Sequence, residues 1–160
     1  MPAGNTYVAI ATASPAGTST VTFSSVPSTY TDLVVIVSGS TAGNDTIGLR
    51  FNSDSGTNYS YVQIYGDGTT AGSTRGNNET FARIGPMYNS QSITIANVMN
   101  YSNSTTNKTV VARANNAGNQ LNALVALWRN TAAITNVTVD AIFGSFNSGT
   151  TVSLYGIASA

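Results

Sequence analysis

Leu33-Val34-Val35-Ile36-Val37 is five consecutive branched aliphatic residues, bounded by Thr31-Asp32 before and Ser38-Gly39-Ser40 after. Three valines and an isoleucine in a row favour an extended backbone, where branched side chains pack without losing rotamer freedom. Five residues cannot cross a bilayer, which takes about twenty in a helix. The run is apolar at odd and even positions alike, so it predicts a central strand that is covered on both faces or continues into an oligomer contact.

Outward from this run the same grammar repeats: short apolar, β-branched stretches separated by clusters of Gly, Asn, Ser and Asp. Strands are predicted over 6–12, 19–23, 32–38, 46–51, 60–65, 80–84, 92–98, 108–114, 122–129, 135–143 and 151–157. Ile93-Thr94-Ile95 and Val137-Thr138-Val139-Asp140-Ala141 alternate, which places the aliphatic residues inward and the hydroxyls or the carboxylate outward on a wet face. Leu121 to Arg129 fits two periods. Leu121, Leu124, Val125 and Trp128 fall at helical spacing, whereas Leu121, Ala123, Val125 and Leu127 alternate; the all-β surroundings favour a strand. Turns are marked by Asp54-Ser-Gly56, Gly66-Asp-Gly68 and Asn147-Ser-Gly149. Thr69 to Asn78, the longest polar stretch, reads as a loop. More than eight strands in one unit must fold over or close. The expectation is an all-β chain, a single antiparallel β-sandwich over 1–160 with a short N-terminal arm at 1–5.

The chemistry on offer is narrow. Histidine and cysteine are absent, twelve charged residues are scattered over 160 positions with a formal net charge of +0, and Ser, Thr and Asn fill sixty positions. Imidazole, thiolate and paired carboxylates carry most acid–base and nucleophilic chemistry near neutral pH. The composition therefore disfavours an enzyme and favours recognition or assembly. Six cations, Arg50, Arg75, Arg83, Lys108, Arg113 and Arg129, are spread out and form no basic stripe for nucleic acid. Met1-Pro-Ala-Gly-Asn5 lacks the charged start and apolar stretch of a secretory signal, so synthesis in the cytoplasm without membrane insertion is expected.

Four groups of residues carry candidate chemistry. Asn52-Ser-Asp54-Ser-Gly56-Thr-Asn58 places oxygen-bearing side chains at alternate positions before a glycine, as calcium loops do. It has one carboxylate and no closing glutamate, so an Asx-rich turn is the simpler reading and no metal is expected. Asp45 with Asp54, or Asp67 with Glu79, would make a glycosidase pair only if their carboxyls stood about 5–9.5 Å apart. Tyr59, Tyr61 and Tyr65 share one face of a regular strand, which suits either a core or a platform for a glycan. Trp128 beside Arg129 has the same two readings. Seven Asn-X-Ser/Thr triplets, starting at Asn44, Asn58, Asn78, Asn100, Asn103, Asn107 and Asn136, follow from the composition and are expected to be unmodified.

Four segments in order, Thr22-Phe-Ser-Ser-Val-Pro-Ser-Thr-Tyr-Thr-Asp-Leu33, Arg50-Phe-Asn-Ser-Asp-Ser-Gly-Thr-Asn-Tyr-Ser60, Leu127-Trp-Arg-Asn-Thr-Ala-Ala-Ile-Thr-Asn-Val-Thr-Val139 and Val152-Ser-Leu-Tyr-Gly-Ile157, resemble small virion structural proteins of tailed bacteriophages, including phages of cyanobacteria. The resemblance implies a jelly-roll β-sandwich, often a homotrimer, on the outer surface of the virion. It implies two roles. One is a capsid decoration (cement) protein whose partners are the major capsid protein and its own copies, with neither nucleic acid nor membrane bound. The other is a tail-fibre or baseplate tip module that binds a host-surface glycan. It assigns no catalytic, cofactor or metal residues.

Overall fold

The computed structural model describes residues 6–116 and 118–158, so the expected arm at 1–5 lies outside the described residues. Twelve strands follow one another: β1 (Tyr7–Ala13), β2 (Thr20–Phe23), β3 (Asp32–Gly39), β4 (Asp45–Phe51), β5 (Tyr59–Gly66), β6 (Ala71–Glu79), β7 (Ala82–Met87), β8 (Ser92–Val98), β9 (Lys108–Asn116), β10 (Gln120–Trp128), β11 (Val137–Ala141) and β12 (Thr151–Ile157). Among the described residues no helix is long and apolar enough to cross a membrane.

The pairing is nested. β1 pairs with β12, β2 with β11, β3 with β8 and β4 with β7, all antiparallel, as in one long ribbon folded back on itself. Rolling that ribbon brings β12 beside β3 and β11 beside β4. The result is a jelly roll of two sheets, β1-β12-β3-β8 and β2-β11-β4-β7. Two hairpins, β5-β6 and β9-β10, are inserted into the ribbon and extend the first sheet beyond β8. That sheet runs to eight strands in the order β1-β12-β3-β8-β9-β10-β5-β6, against four in the other.

Alternation decides the interior. Leu33, Val35 and Val37 of β3, Ile47, Leu49 and Phe51 of β4, Val137 and Val139 of β11, and Val152 and Leu154 of β12 form one buried cluster between the sheets. As the double-sided run predicts, Val34 on the opposite face of β3 is also buried, at 2% exposure. Phe51, Tyr59 and Trp128 close one end of the core, with Phe51 and Trp128 centroids 5.4 Å apart and Tyr59 stacked on Trp128 at 6.3 Å. Burying three large rings together supplies both apolar area and favourable ring geometry. Lys108 is also fully buried, its Nζ donating to Thr106 O at 2.7 Å and Thr131 O at 3.0 Å. Desolvation holds its pKa below the ordinary lysine value.

Four expectations need correction. Thr94 is not on a wet face: it lies fully buried on the face of β8 that carries Ala96 and Val98 into the core, and Ile93 and Ile95 take the other face, half-buried. The polar stretch 69–78 is not a loop: most of it is β6, the edge strand. Its glycines explain how. Gly76 faces Tyr61 and Gly72 faces Tyr65 across the ladder, and a Cβ would lie 2.5 Å from the Tyr61 ring and 2.6 Å from the Tyr65 hydroxyl. The tyrosine rings supply the cover that β6 lacks. The strand expected at 80–84 is shifted to Ala82–Met87, and Pro86 is tolerated there because β7 is a sheet edge. The strand expected over 135–143 shortens to Val137–Ala141, because the Phe143 amide leaves the ladder and donates to Asp45 Oδ1 at 2.9 Å. From 120 to 128 the strand reading holds and the helical one does not.

Gly85 fixes how closely β7 approaches β9. Its φ is +140°, and a Cβ there would stand 2.2 Å from the Ala114 side chain. Gly85→Ala is therefore expected to lower stability by about 2–3 kcal/mol through combined strain and overpacking, measured by urea unfolding; an unchanged midpoint would refute this account of the sheet contact.

Candidate interaction surface

Because the eight-stranded sheet is twice as wide as its partner, the two faces of its extension have different fates. The inner face packs on β7. On β10 the inward residues are Asn122, Leu124, Ala126 and Trp128, and the outward ones are Leu121, Ala123, Val125 and Leu127. Cross-strand register then assembles rows on the outer face: Val62, Val125 and Val111 in one, Ile64, Ala123 and Arg113 in the next, Gly66, Leu121 and Asn115 in a third. Leu121 is 63% exposed and Ile64 59%, with Val62, Val111 and Val125 close behind. These side chains are neighbours across the ladder and form one contiguous apolar patch, a feature that marks contact sites on protein surfaces when it is large.

The patch is dished. Ala123 is small and sits between larger neighbours, leaving a shallow apolar depression of about 260 Å³ lined by Val62, Ile64, Val111, Ala123 and Val125. Arg75 stands opposite Val62, and Arg113 opposite Ala123, at its margin. Both are exposed, and among the described residues only Arg50 and Asp140 form an ion pair.

The candidate residues named from the sequence are elsewhere and mostly structural. Asn52 (φ 52°) and Ser53 (φ 59°) turn the chain out of β4, with the Asp54 amide donating to Phe51 O at 2.9 Å. Asn52 Oδ1 accepts from the Thr135 amide at 2.9 Å, and its Nδ2 donates to Ala133 O at 2.8 Å. The Asp54 carboxylate points inward: Oδ2 accepts from Trp128 Nε1 at 2.7 Å and Asn58 Nδ2 at 2.9 Å, and Oδ1 from the Gly56 amide at 2.8 Å. These oxygens bind the protein itself and do not converge on a cation. Among the described residues no three His, Cys, Asp or Glu side chains are grouped to hold a metal.

The acid pairs are separated. Asp45 opens β4 and Asp54 follows its end, so six strand residues, or roughly 20 Å, lie between them. Asp67 is in the β5–β6 turn, accepting from the Thr69 and Thr70 amides, while Glu79 is at the far end of the nine-residue β6. Neither pair can flank one glycosidic bond. The three tyrosines share the inner face, but Tyr59 is fully buried and the Arg83 guanidinium lies 5.4 Å from the Tyr61 ring centroid. Trp128 is core, and Arg129 is exposed, donating to Thr57 O at 2.8 Å. Asn58 uses its amide on Asp54.

The outer patch went unnamed in the sequence reading. Its signal was the alternation of Leu121, Ala123, Val125 and Leu127, together with a second apolar set on the intervening positions. Which set faces the core depends on Trp128 and its hydrogen bond to a residue 74 positions away.

No family model and no curated protein matches the chain, so no enzyme family is identified. Among solved structures the chain is similar to the galectin LEC-6 of Caenorhabditis elegans, at 10% identity over 92% of this chain and 96% of that one, with a TM-score of 0.39. It is also similar to sucrose-6-phosphate hydrolase of Lactobacillus gasseri, at 12% identity over 88% of this chain and 28% of that one, with a TM-score of 0.38.

Burial pushes the Asp54 pKa up, but the hydrogen bonds from Trp128, Asn58 and the Gly56 amide outweigh it and hold the carboxyl below the ordinary aspartate value. A depressed folded pKa gives stability that is full above the unfolded value and lost as pH falls through the folded one. Asp54→Asn should cost about 1–3 kcal/mol near neutral pH. The gap between the two proteins should close in acid, below the folded pKa of Asp54. Urea midpoints at several pH values check this; a gap that persists unchanged in acid would show that the charge is immaterial.

Proposed function

We propose that the chain is a virion structural protein of tailed bacteriophages that works by contact: a capsid decoration protein, acting as a homotrimer, seated on the outer capsid surface at junctions between major capsid subunits. The observation that carries the reading is the apolar outer face around Ala123. A face with Leu121 and Ile64 about three-fifths exposed is suited to being covered in an assembly rather than to standing in water. The phage setting rests on the four resembling segments. In this role each copy contributes buried area and hydrogen bonds across a capsid joint, and association of copies converts several weak contacts into a durable one.

The composition fits the same role. A chain without imidazole or thiolate, with few charges and a surface of hydroxyls and amides, binds through shape and hydrogen bonds and has little long-range repulsion between copies.

Quantitative counting of this protein on purified particles tests the reading: hundreds of copies are expected, and a handful would refute it and favour a tail tip. Binding to a glycan array would favour that tip reading directly. The double variant Ile64→Ser with Leu121→Ser removes outward apolar groups only, so it should fold with stability within about 0.5 kcal/mol of the parent yet fail to be retained on particles. Retention at the parental level would rule out the outer face as the contact.

A further inference from the structure

The outward face of the eight-stranded sheet is a trough. Tyr7 of β1 and Ala123 of β10 line one depression of about 360 Å³, together with Ile95 and Val111. Four strands separate β1 from β10 in the sheet order, so in a flat sheet the two would stand about 24 Å apart. Sharing a depression of that size means that the sheet curls around its outward side. The dish over Ala123 continues the trough toward β5, with Ile64, Val125 and Leu121 exposed around it.

The charge exposed in this trough has one sign. Arg113 of β9 and Arg75 of β6 are exposed, stand in the outward rows, and are in no ion pair among the described residues. The sheet's own carboxylates are engaged elsewhere. Asp32 accepts from the Asn100 amide at 2.7 Å, Asp67 from the Thr69 and Thr70 amides, and Glu79 lies beside Gly76 and Tyr61 on the inward side. β9 and β6 are three strand spacings, or about 14 Å, apart. Between the two arginines the outward residues of β10 and β5 are Ala123, Val125, Ile64 and Val62.

That geometry selects among occupants. A flat surface bridges a trough and touches only its rims, whereas a cylinder reaches the floor. An α-helix with its side chains is about 10–12 Å across, narrow enough to lie along β10 and β5 between the two arginines. Leu121 to Leu127 of β10 spans about 20 Å, which about thirteen helical residues cover. A second copy of this chain does not supply that shape: no helix occurs among the described residues, and its own outward face would set trough against trough and arginine against arginine. We propose that the trough seats an amphipathic α-helix of another protein, with its apolar stripe over Ala123 and a carboxylate on each flank, one toward Arg113 and one toward Arg75. The seat rests on the reading of the outer face as a capsid contact, and it names the element that the capsid subunit contributes.

The isolated protein tests the seat without particles. A display library of random peptides about 18 residues long, or five helical turns, is selected on the immobilised parent. Enriched sequences are expected to carry apolar residues at i, i+3, i+4 and i+7, with Asp or Glu beside that stripe. Fluorescence anisotropy of an enriched peptide then locates the contact. Ala123→Glu, which puts a carboxylate on the floor, should weaken binding about tenfold or more. Arg75→Glu with Arg113→Glu should weaken it about fivefold, since exposed ion pairs are individually weak, and should favour the same peptide with Lys in place of its acids. All three positions are exposed, so circular dichroism of both variants should match the parent. Period-two sequences would make the occupant a strand, and basic flanks would make the arginines irrelevant; either overturns the proposal. So would no enrichment, binders that survive Ala123→Glu, or self-association of the parent that Ala123→Glu abolishes. Copy counting on particles tests which protein owns the helix, so failure there and failure here are distinguishable.

Discussion

The hydrogen bond from Trp128 Nε1 to Asp54 Oδ2, 2.7 Å long and spanning 74 positions of sequence, holds the architecture at its point of transition. Asp54 lies where the chain leaves β4 in the four-stranded sheet and enters β5 in the eight-stranded one. Trp128 ends β10, the strand on which β5 docks. The bond fixes the crossing to that dock, and the rings of Phe51 and Tyr59 close around it. A buried indole N–H needs an acceptor, since an unpaired donor costs about 1–3 kcal/mol. Burial of the indole's apolar area turns Trp128 inward, the Asp54 acceptor removes the cost of burying its N–H, and strand alternation then turns Leu121, Ala123 and Val125 outward.

The inserted hairpins explain why that patch exists at all. A jelly roll of the eight nested strands would end its first sheet at β8. Adding β9-β10 and β5-β6 doubles that sheet without widening the other, so one face of the extension covers the core while the other has nothing of its own chain to cover it. The edge that results is managed at β6, where Gly72 and Gly76 lie under Tyr65 and Tyr61 and the outward positions are Ser73, Arg75 and Asn77. A polar, glycine-containing edge discourages indiscriminate strand addition.

Much of the fold was legible in the sequence because period-two alternation survives in most strands, and because Leu33 to Val37 could be little else. The strand β6 was not legible, since nothing in Ala-Gly-Ser-Thr-Arg-Gly-Asn-Asn-Glu marks a half-buried surface; it is a strand because β5 offers it a ladder and two tyrosine rings. The candidate site was less legible still. Asp54 in its run of Asn, Ser and Thr has the look of a cation loop until Trp128 is placed beside it. The alternation over Leu121 to Trp128 showed a strand with two apolar faces but held no information on which face was which.

The charge inventory shows how such a chain must recognise anything. Lys108 is buried on two carbonyls, Asp140 is paired with Arg50, Asp54 holds Trp128, and Asp45 sits beneath the Phe143 loop. Nearly half of twelve charges are thus committed to holding the fold. The remainder are too few and too dispersed to build a field, and isolated surface charges contribute little individually. Specificity has to come from shape, from apolar groups held at fixed positions, and from hydroxyls and amides whose hydrogen bonds are short-ranged. Binding of that kind is slow to find its partner and insensitive to salt, because steering is weak when charge is scarce. It suits contacts that form once and are kept.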